Sequence, residues 1–459
     1  MTSPPDAYAS IRRAVLDAVE EAKLDPRSDT EAVRALVVKA VDGYQRAAHA
    51  GTLAAGGMAL SDPAAMVTRI TQAICDFGPL SSLFGRSDVE EIFIEGDRVL
   101  YLDQGGRLRG LAAPTTEAEN HQVIDQLLSQ TQRHLDAKSP LVQARVLQGA
   151  ARLSAAIPPV ADRLSATLRK YTLRKETLPY LLERDSLSAA AASFLWAVMQ
   201  SRRSLIVSGP PGAGKTSLLS ALLAATPANH CIRCAEEIRE LSAPITHGSY
   251  YEARPPALDG SGEISLRDLV KFLLAMRPDL IVVGEVRGAE AFELTRAINA
   301  GCGFLCTVHA NSARDALTAL VNAAIMAGEN VGESIVRKVF STALDFVVHL
   351  DRDDVNRLGP DEEARRQVME VLAVVPAMTD DFSTEPIFVR GALGKPLVWT
   401  GAYPPEVELI ERSLPEGATM TAILEGRIQA PFSDSPDADP AERARMPGRS
   451  VPRPEAWNR

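Results

Sequence analysis

Between residues 186 and 430 short apolar runs alternate with longer amphipathic ones. "SLIVSG" (204–209), "HCIRCAEE" (230–237), "DLIVVGE" (279–285) and "FLCTVHA" (304–310) have strand length and are apolar on nearly every position. Between them, "LRDLVKFLLAM" (266–276) and "AEAFELTRAIN" (289–299) place apolar residues three and four apart, as helices do. Strands apolar on both faces, alternating with helices, predict a parallel sheet covered on both sides.

Upstream the pattern changes. "YASIRRAVLDAVEEA" (8–22) and "EAVRALVVKAVDGYQRAA" (31–48) read as amphipathic helices, so residues 1–60 are expected to form a helical, partly mobile N-terminal extension. "HAGTLAAGGMALSDP" (49–63) reads as a joint. Residues 63–160 mix both periods. They contain the alternating "EEIFIEGDRVLYLDQGGRL" (90–108), the helix "AENHQVIDQLLSQTQRHL" (118–135) and the strand "ARLSAAIPP" (151–159), which together predict a self-contained α+β domain. A basic stretch over 161–185 is expected to link it to the α/β domain of 186–430. The last 29 residues hold six prolines and few core-forming side chains, so 431–459 is expected to be a disordered tail.

At 459 residues the chain is long enough for two or three domains. Its formal charge of −10 argues against a general nucleic-acid binder. The N-terminus lacks the apolar core of a signal peptide and no run reaches membrane-spanning length, so a cytoplasmic protein is expected. Five cysteines fit a reducing compartment. Cys231 and Cys234, with Cys302 and Cys306, raise a four-thiolate zinc site, but residues three apart in a strand face opposite sides, and small buried side chains are the favoured reading.

The densest chemistry lies in "GPPGAGKTS": Gly209, Pro210, Pro211, Gly212, Ala213, Gly214, Lys215, Thr216 and Ser217 fit the pattern G-x-x-x-x-G-K-[ST]. Glycines let backbone N–H groups curl round the β- and γ-phosphates, Lys215 brings a mobile positive charge, and the Thr216 hydroxyl ligates Mg²⁺. An apolar strand leads in and a helix with Leu218, Leu219, Leu222 and Leu223 leads out, the context the motif requires. Glu285, at the end of a buried strand, is a candidate to polarise water directly or through the Mg²⁺ shell; a surface glutamate after a strand is the alternative.

"MRPDLIVVGEVRG" (276–288) closely resembles the atypical Walker B segment of the secretion ATPase superfamily, the motors of type II and type IV secretion and of type IV and Tad/Flp pili. "TVHANSARDAL" (307–317) is similar to its His box and "CAEEIREL" (234–241) to its Asp box; "YEARPP" (251–256) and "GEISLRDLV" (262–270) resemble the segment between Asp box and Walker B. "FGPLSSLF" (77–84), "ARLSAAIPPV" (151–160) and "LRKYTL" (168–173) resemble the CpaF-like Tad pilus branch. The resemblance implies a RecA-like P-loop ATPase domain behind the α+β domain, using ATP and Mg²⁺, assembled as a homohexamer and engaging a platform protein at the cytoplasmic face of the membrane. It gives Glu285 the catalytic carboxylate and a share in metal binding with Thr216, puts Glu236, Glu237 and Glu240 in the Asp box, and sets His309 near the γ-phosphate. Arg152, Arg169, Arg254, Arg267, Arg277 and Arg287 are candidates for a phosphate contact made in trans, each with a plain surface ion pair as its alternative. The pattern departs at Cys302, where the family commonly has a Gly-His pair nearby, and at Ala275, where an arginine often stands. A nucleotide-controlled scaffold that does not hydrolyse, and a conjugative DNA-transfer ATPase, remain as other readings.

Overall fold

The computed structural model describes residues 7–431, except 27, 54–57, 104–105, 112–113, 132, 172–175, 242, 244, 257–259, 300, 329, 354–363 and 376–380. The expected disordered tail therefore lies outside the described residues, apart from residue 431. The chain divides into two units, Met1–Thr172 and Leu173–Arg459.

In the first unit, α1 (Ala7–Glu21), α2 (Thr30–His49) and α3 (Pro63–Cys75) pack round Ile11, Val15, Val33, Val37 and Ile70. The N-terminal helices thus share a core with α3 rather than forming a separate extension. A short α4 (Ser81–Gly85) follows, then β1 (Val89–Glu95), β2 (Arg98–Asp103), β3 (Leu108–Gly110), α5 (Glu117–Leu128), β4 (Leu141–Val146), β5 (Ala151–Ala156) and β6 (Ser165–Lys170). Helix α5 starts in a capping box, with Thr116 and Glu119 each accepting the other's backbone N–H. Both carboxylate oxygens of Glu119 also accept from Arg69 Nη2 at 2.9 Å, tying α5 to α3. The sheet is antiparallel, in the order β3-β2-β1-β6-β5-β4. The expectation of a linker beginning at 161 is corrected here. Ser165–Lys170 alternates burial and inserts between β1 and β5, because Ala166 and Leu168 face the core while the basic side chains do not.

The second unit runs α6 (Leu178–Glu183), α7 (Ala189–Gln200), β7 (Leu205–Gly209), α8 (Lys215–Ala224), β8 (Ile232–Glu236), β9 (Gly248–Glu252), α9 (Leu266–Leu274), β10 (Leu280–Val283), α10 (Glu290–Asn299), β11 (Gly303–His309), α11 (Ala313–Ile325), α12 (Glu333–Ala343), β12 (Phe346–Arg352), β13 (Arg366–Val375), β14 (Ser383–Arg390), β15 (Leu397–Trp399), α13 (Val407–Glu411) and α14 (Met420–Leu424). Its sheet order is β15-β14-β13-β12-β7-β11-β10-β8-β9. From β12 to β9 the pairing is parallel, as the apolar runs predict; β13, β14 and β15 extend it antiparallel, which they do not. One face packs on α7 and α8 through Phe194, Leu195, Leu219 and Leu222, the other on α9 to α12 through Val270, Leu294, Leu320 and Phe340. Helix α7 is apolar all round and buried from Ala191 to Gln200.

Two strands flank β7 in register: His309 of β11 sits opposite Gly209, and His349 of β12 opposite Ser208. The carboxyl ends of all three therefore meet at one edge, where open α/β sheets bind their ligands. At the other end of β11, a side chain on Gly303 would overlap the Arg202 carbonyl. Gly303→Ala is expected to cost about 1–3 kcal/mol in urea unfolding, by forcing the backbone apart at that crossing.

Candidate active site

The phosphate loop joins β7 to α8. Gly212 and Gly214 have φ of 74° and 92°, the left-handed region that glycine enters freely. A side chain on Gly209 would meet the Leu350 carbonyl at 2.5 Å, so the loop passes against β12. The four buried leucines predicted from the sequence seat α8 on the sheet with its N-terminus at the loop. Lys215 heads that helix and is only 8% exposed. Its ammonium donates to the carbonyls of Gly209 (3.0 Å) and Pro210 (3.1 Å) and lies 3.2 Å from His309 Nδ1. Thr216 and Ser217 follow on the first turn, half-buried; Ser217 donates to Glu176 Oε1 at 3.3 Å.

An ammonium cannot accept, so His309 Nδ1 must be unprotonated where it receives Lys215, which leaves the ring hydrogen on Nε2. That nitrogen stands 2.6 Å from Glu285 Oε1, a close approach without the alignment of a good hydrogen bond. The other oxygen of Glu285 accepts from Arg287 at 2.6 Å, and Arg287 also reaches Glu237 at 3.5 Å. This pairing holds the Arg287 guanidinium firmly protonated, chiefly through the Glu285 hydrogen bond. Lys215, His309, Glu285, Arg287 and Glu237 thus form a continuous series of contacts.

Local structure fixes that series. Beyond β10, Gly284 bonds back to Ala235, Val286 bonds to Thr307, and the Thr307 hydroxyl donates to the Gly284 carbonyl at 2.6 Å. Glu285 is therefore held between the ends of β8 and β11. Glu290 folds back to accept the N–H groups of Arg287 (2.6 Å) and Gly288 (2.8 Å), which fixes the turn carrying Arg287. After His309 the chain reverses at once, because Ser312 caps α11 by accepting from Asp315 N–H.

The three Asp-box glutamates separate. Glu236 ends β8 and is 4% exposed; its carboxyl accepts backbone N–H groups of Glu240 (3.0 Å) and Leu241 (3.1 Å). Burial pushes its pKa up to about 7 despite those bonds. Glu237 touches Arg287, and Glu240 lies in the turn that Glu236 ties together. The closeness of several carboxylates is thus relieved by a proton held on Glu236 near neutral pH.

Of the six arginines, only Arg287 joins this cluster, and it does so within its own chain. Arg267 is committed to the fold, pairing with the buried Glu293 at 2.8 Å. Arg254 closes a loop on the Gly262 carbonyl, and Arg277 is exposed in the turn after α9 with φ of 48°. Arg152 and Arg169 are neighbours across β5 and β6 in the first unit; Arg169, expected in a linker, sits 3.7 Å from Glu91 in the sheet. The departures fall away from the cluster. Cys302 is buried just before β11, at the opposite end from His309 and roughly 20 Å along the strand, while Ala275 caps α9. Cys302 has its thiol pKa pushed up to about 12 by burial, and Cys231, Cys234 and Cys306 are likewise core residues.

Sequence reading missed His349, buried in β12 with Nδ1 3.0 Å from the Ser208 hydroxyl behind the phosphate loop. Burial lowers its pKa and keeps it neutral. Its place beside β7 depends on strand pairing, which no local spacing reveals.

A phosphate loop after the central strand of a sheet ordered β12-β7-β11-β10-β8 defines a RecA-like P-loop domain, here in a chain that also carries an α+β N-terminal domain. The chain belongs to the type II/IV secretion system protein family, whose model matches residues 87–372. It is 32% identical over 318 residues to a Mycobacterium tuberculosis protein provisionally named for conjugal transfer, covering 66% of this chain and 89% of that one. It is 28% identical to the type IV secretion system protein PtlH of Bordetella pertussis, over 65% of this chain and 95% of that one. Among solved structures it aligns with the VirB11 ATPase of Brucella suis (20% identity, 64% and 91% of the two chains, TM-score 0.33) and with the ATPase DotB of Legionella pneumophila (18%, 64% and 78%, TM-score 0.43).

The Glu236 proton has a measurable consequence. Its folded value near 7 exceeds the ordinary 4.5, so between these pH values the folded state holds the extra proton and stability falls as pH rises. Above the folded value the loss is complete. Glu236→Gln lacks this loss, so its stability relative to the native chain should grow by about 3 kcal/mol from pH 4.5 to 8, read by denaturant unfolding across a pH series.

Proposed function

We propose that this protein hydrolyses ATP to ADP and phosphate and couples the reaction to mechanical work in a secretion or pilus machine. The contact series from Lys215 through His309 to Glu285, at the mouth of the phosphate loop, carries the reading. The loop residues Gly209 to Ser217 cradle the β- and γ-phosphates, and the Lys215 ammonium leaves two loop carbonyls for phosphate oxygens. The cradle fits a triphosphate because its positive-φ glycines free the backbone N–H groups and α8 points its N-terminus inward. The Thr216 hydroxyl would hold Mg²⁺, which would offset phosphate charge when bound.

Moving Lys215 onto phosphate ends its contact with His309 Nδ1, which can then accept a hydrogen from a water beside the γ-phosphate. Glu285, held by His309 and Arg287, is the base that orients the attacking water. Arg287 acts on Glu285 in the same chain. A trans contact to the γ-phosphate, if made by a candidate of this chain, falls to Arg254, Arg277, Arg152 or Arg169, whose guanidiniums stand outside the cluster.

The same reading extends to a homohexamer working at the cytoplasmic face of a membrane, driving a Tad/Flp-type pilus through a platform protein. CpaF-like segments at 77–84, 151–160 and 168–173 support that branch. Among the described residues no helix is long and apolar enough to cross a membrane, and on this reading the platform protein supplies the attachment. A conjugative role is the second reading, favoured by relatives named for conjugal transfer in M. tuberculosis and Rhizobium radiobacter.

Phosphate release by the purified protein tests the enzyme. Glu285→Gln should bind ATP with near-native affinity and lose phosphate release at least 100-fold; release at the native rate sinks the assignment of the base. DNA-stimulated hydrolysis would favour conjugation, and absence of stimulation the pilus reading. Native mass spectrometry with ATP should give six copies.

A further inference from the structure

β7 is flanked on both sides, and only the β11 side is used by the chemistry above. On the other side β12 runs past the end of β7 to Leu350, Asp351 and Arg352. The Leu350 carbonyl abuts Gly209, and the Arg352 guanidinium lies over Gly212, where a Cβ would come within 2.7 Å of Nη1 and 3.3 Å of Cζ. A glycine is required at 212 by its φ, and the guanidinium lies where a Cβ would point.

The two described acids beside Arg352 in the chain have other partners. Asp351 accepts the backbone N–H of Arg352 at 2.8 Å, and the neighbouring Asp353 is taken by Arg365 through contacts of 2.7 and 3.3 Å. Among the described residues no carboxylate pairs with the Arg352 guanidinium itself. An exposed arginine is ordinarily just solvated. This one is packed on the backbone of a phosphate loop, on the side opposite His309, with the described acids Asp351 and Asp353 directed elsewhere.

We propose that Arg352 binds phosphate oxygens of the nucleotide held by its own subunit's loop, so that Lys215 and Arg352 grip the anion from the two flanks of β7. This rests on the nucleotide-site reading and adds a residue to it. Guanidinium is the suitable group, since its planar fork can span two oxygens while the loop N–H groups keep theirs.

The test measures binding of ATP and of inorganic tripolyphosphate to the native protein, Arg352→Gln, Arg352→Lys and Lys215→Ala, at several salt concentrations. Arg352→Gln should weaken both ligands about 10- to 100-fold and flatten the salt dependence, with thermal unfolding of the ligand-free protein unchanged. Arg352→Lys should recover part of the loss. If Arg352→Gln leaves both affinities native while Lys215→Ala abolishes them, the inference fails and the nucleotide site stands. If ATP weakens but tripolyphosphate does not, the guanidinium serves the base or sugar and the phosphate assignment fails. A native protein that binds neither ligand overturns the underlying site.

Discussion

The buried ammonium of Lys215 is the constraint round which the carboxyl edge of the sheet is arranged. A charge so placed is tolerable only if acceptors surround it, and here they come from two loop carbonyls and an imidazole on the next strand. Each demands something of the fold. The carbonyls require a loop that turns back on itself, hence the positive-φ glycines. The imidazole requires β11 to lie beside β7 in the register that opposes His309 to Gly209. A shift of one residue would send His309 to the other face and leave the ammonium short of a partner. The pairing of two strands about 100 residues apart is thereby tied to a single polar contact.

From that contact the rest of the cluster follows by satisfaction of charge. His309, accepting on one nitrogen, turns its other toward Glu285; Glu285 offers its second oxygen to Arg287; Arg287 extends to Glu237. Cations and anions alternate along the series, so none of these half-exposed groups is left against its own kind. Glu236 stands apart, buried on backbone donors with its proton retained, and a side chain at Gly284 would strike it. It shapes the turn after β8 rather than adding negative charge beside Glu285.

How much of this was legible in the sequence depended on whether a feature is local. The phosphate loop with its flanking strand and helix was readable because it lies within a dozen residues and has its own spacing, whereas Glu285 and His309 were marked by the resemblance of their segments to family motifs. Features set by pairing between distant segments were not. β6 carries arginine and lysine and so reads as a solvated linker, yet alternation with Ala166 and Leu168 makes it a central strand. Arg287 looked available to a neighbouring subunit because its sequence does not show Glu285 and Glu237 closing on it. Arg352 gave no signal at all; it lies beyond the similar motifs, and only the parallel pairing of β12 with β7 brings it to the loop.

The contact series also bears on how hydrolysis could wait for its signal. Glu285 is engaged on one oxygen by Arg287 at 2.6 Å, while its other oxygen stands close to the uncharged His309 ring without a good hydrogen bond. On the proposed reading, drawing Lys215 onto phosphate loosens His309, but Arg287 remains on Glu285, held by Glu237 and by a turn that Glu290 braces. Binding alone therefore arms the site only halfway. The remaining step is displacement of one guanidinium within this chain, and any event that offers Arg287 a stronger anion than Glu285, the γ-phosphate itself included, completes it. If the chain hydrolyses ATP as proposed, these contacts put control of the reaction in where Arg287 points more than in whether ATP is held.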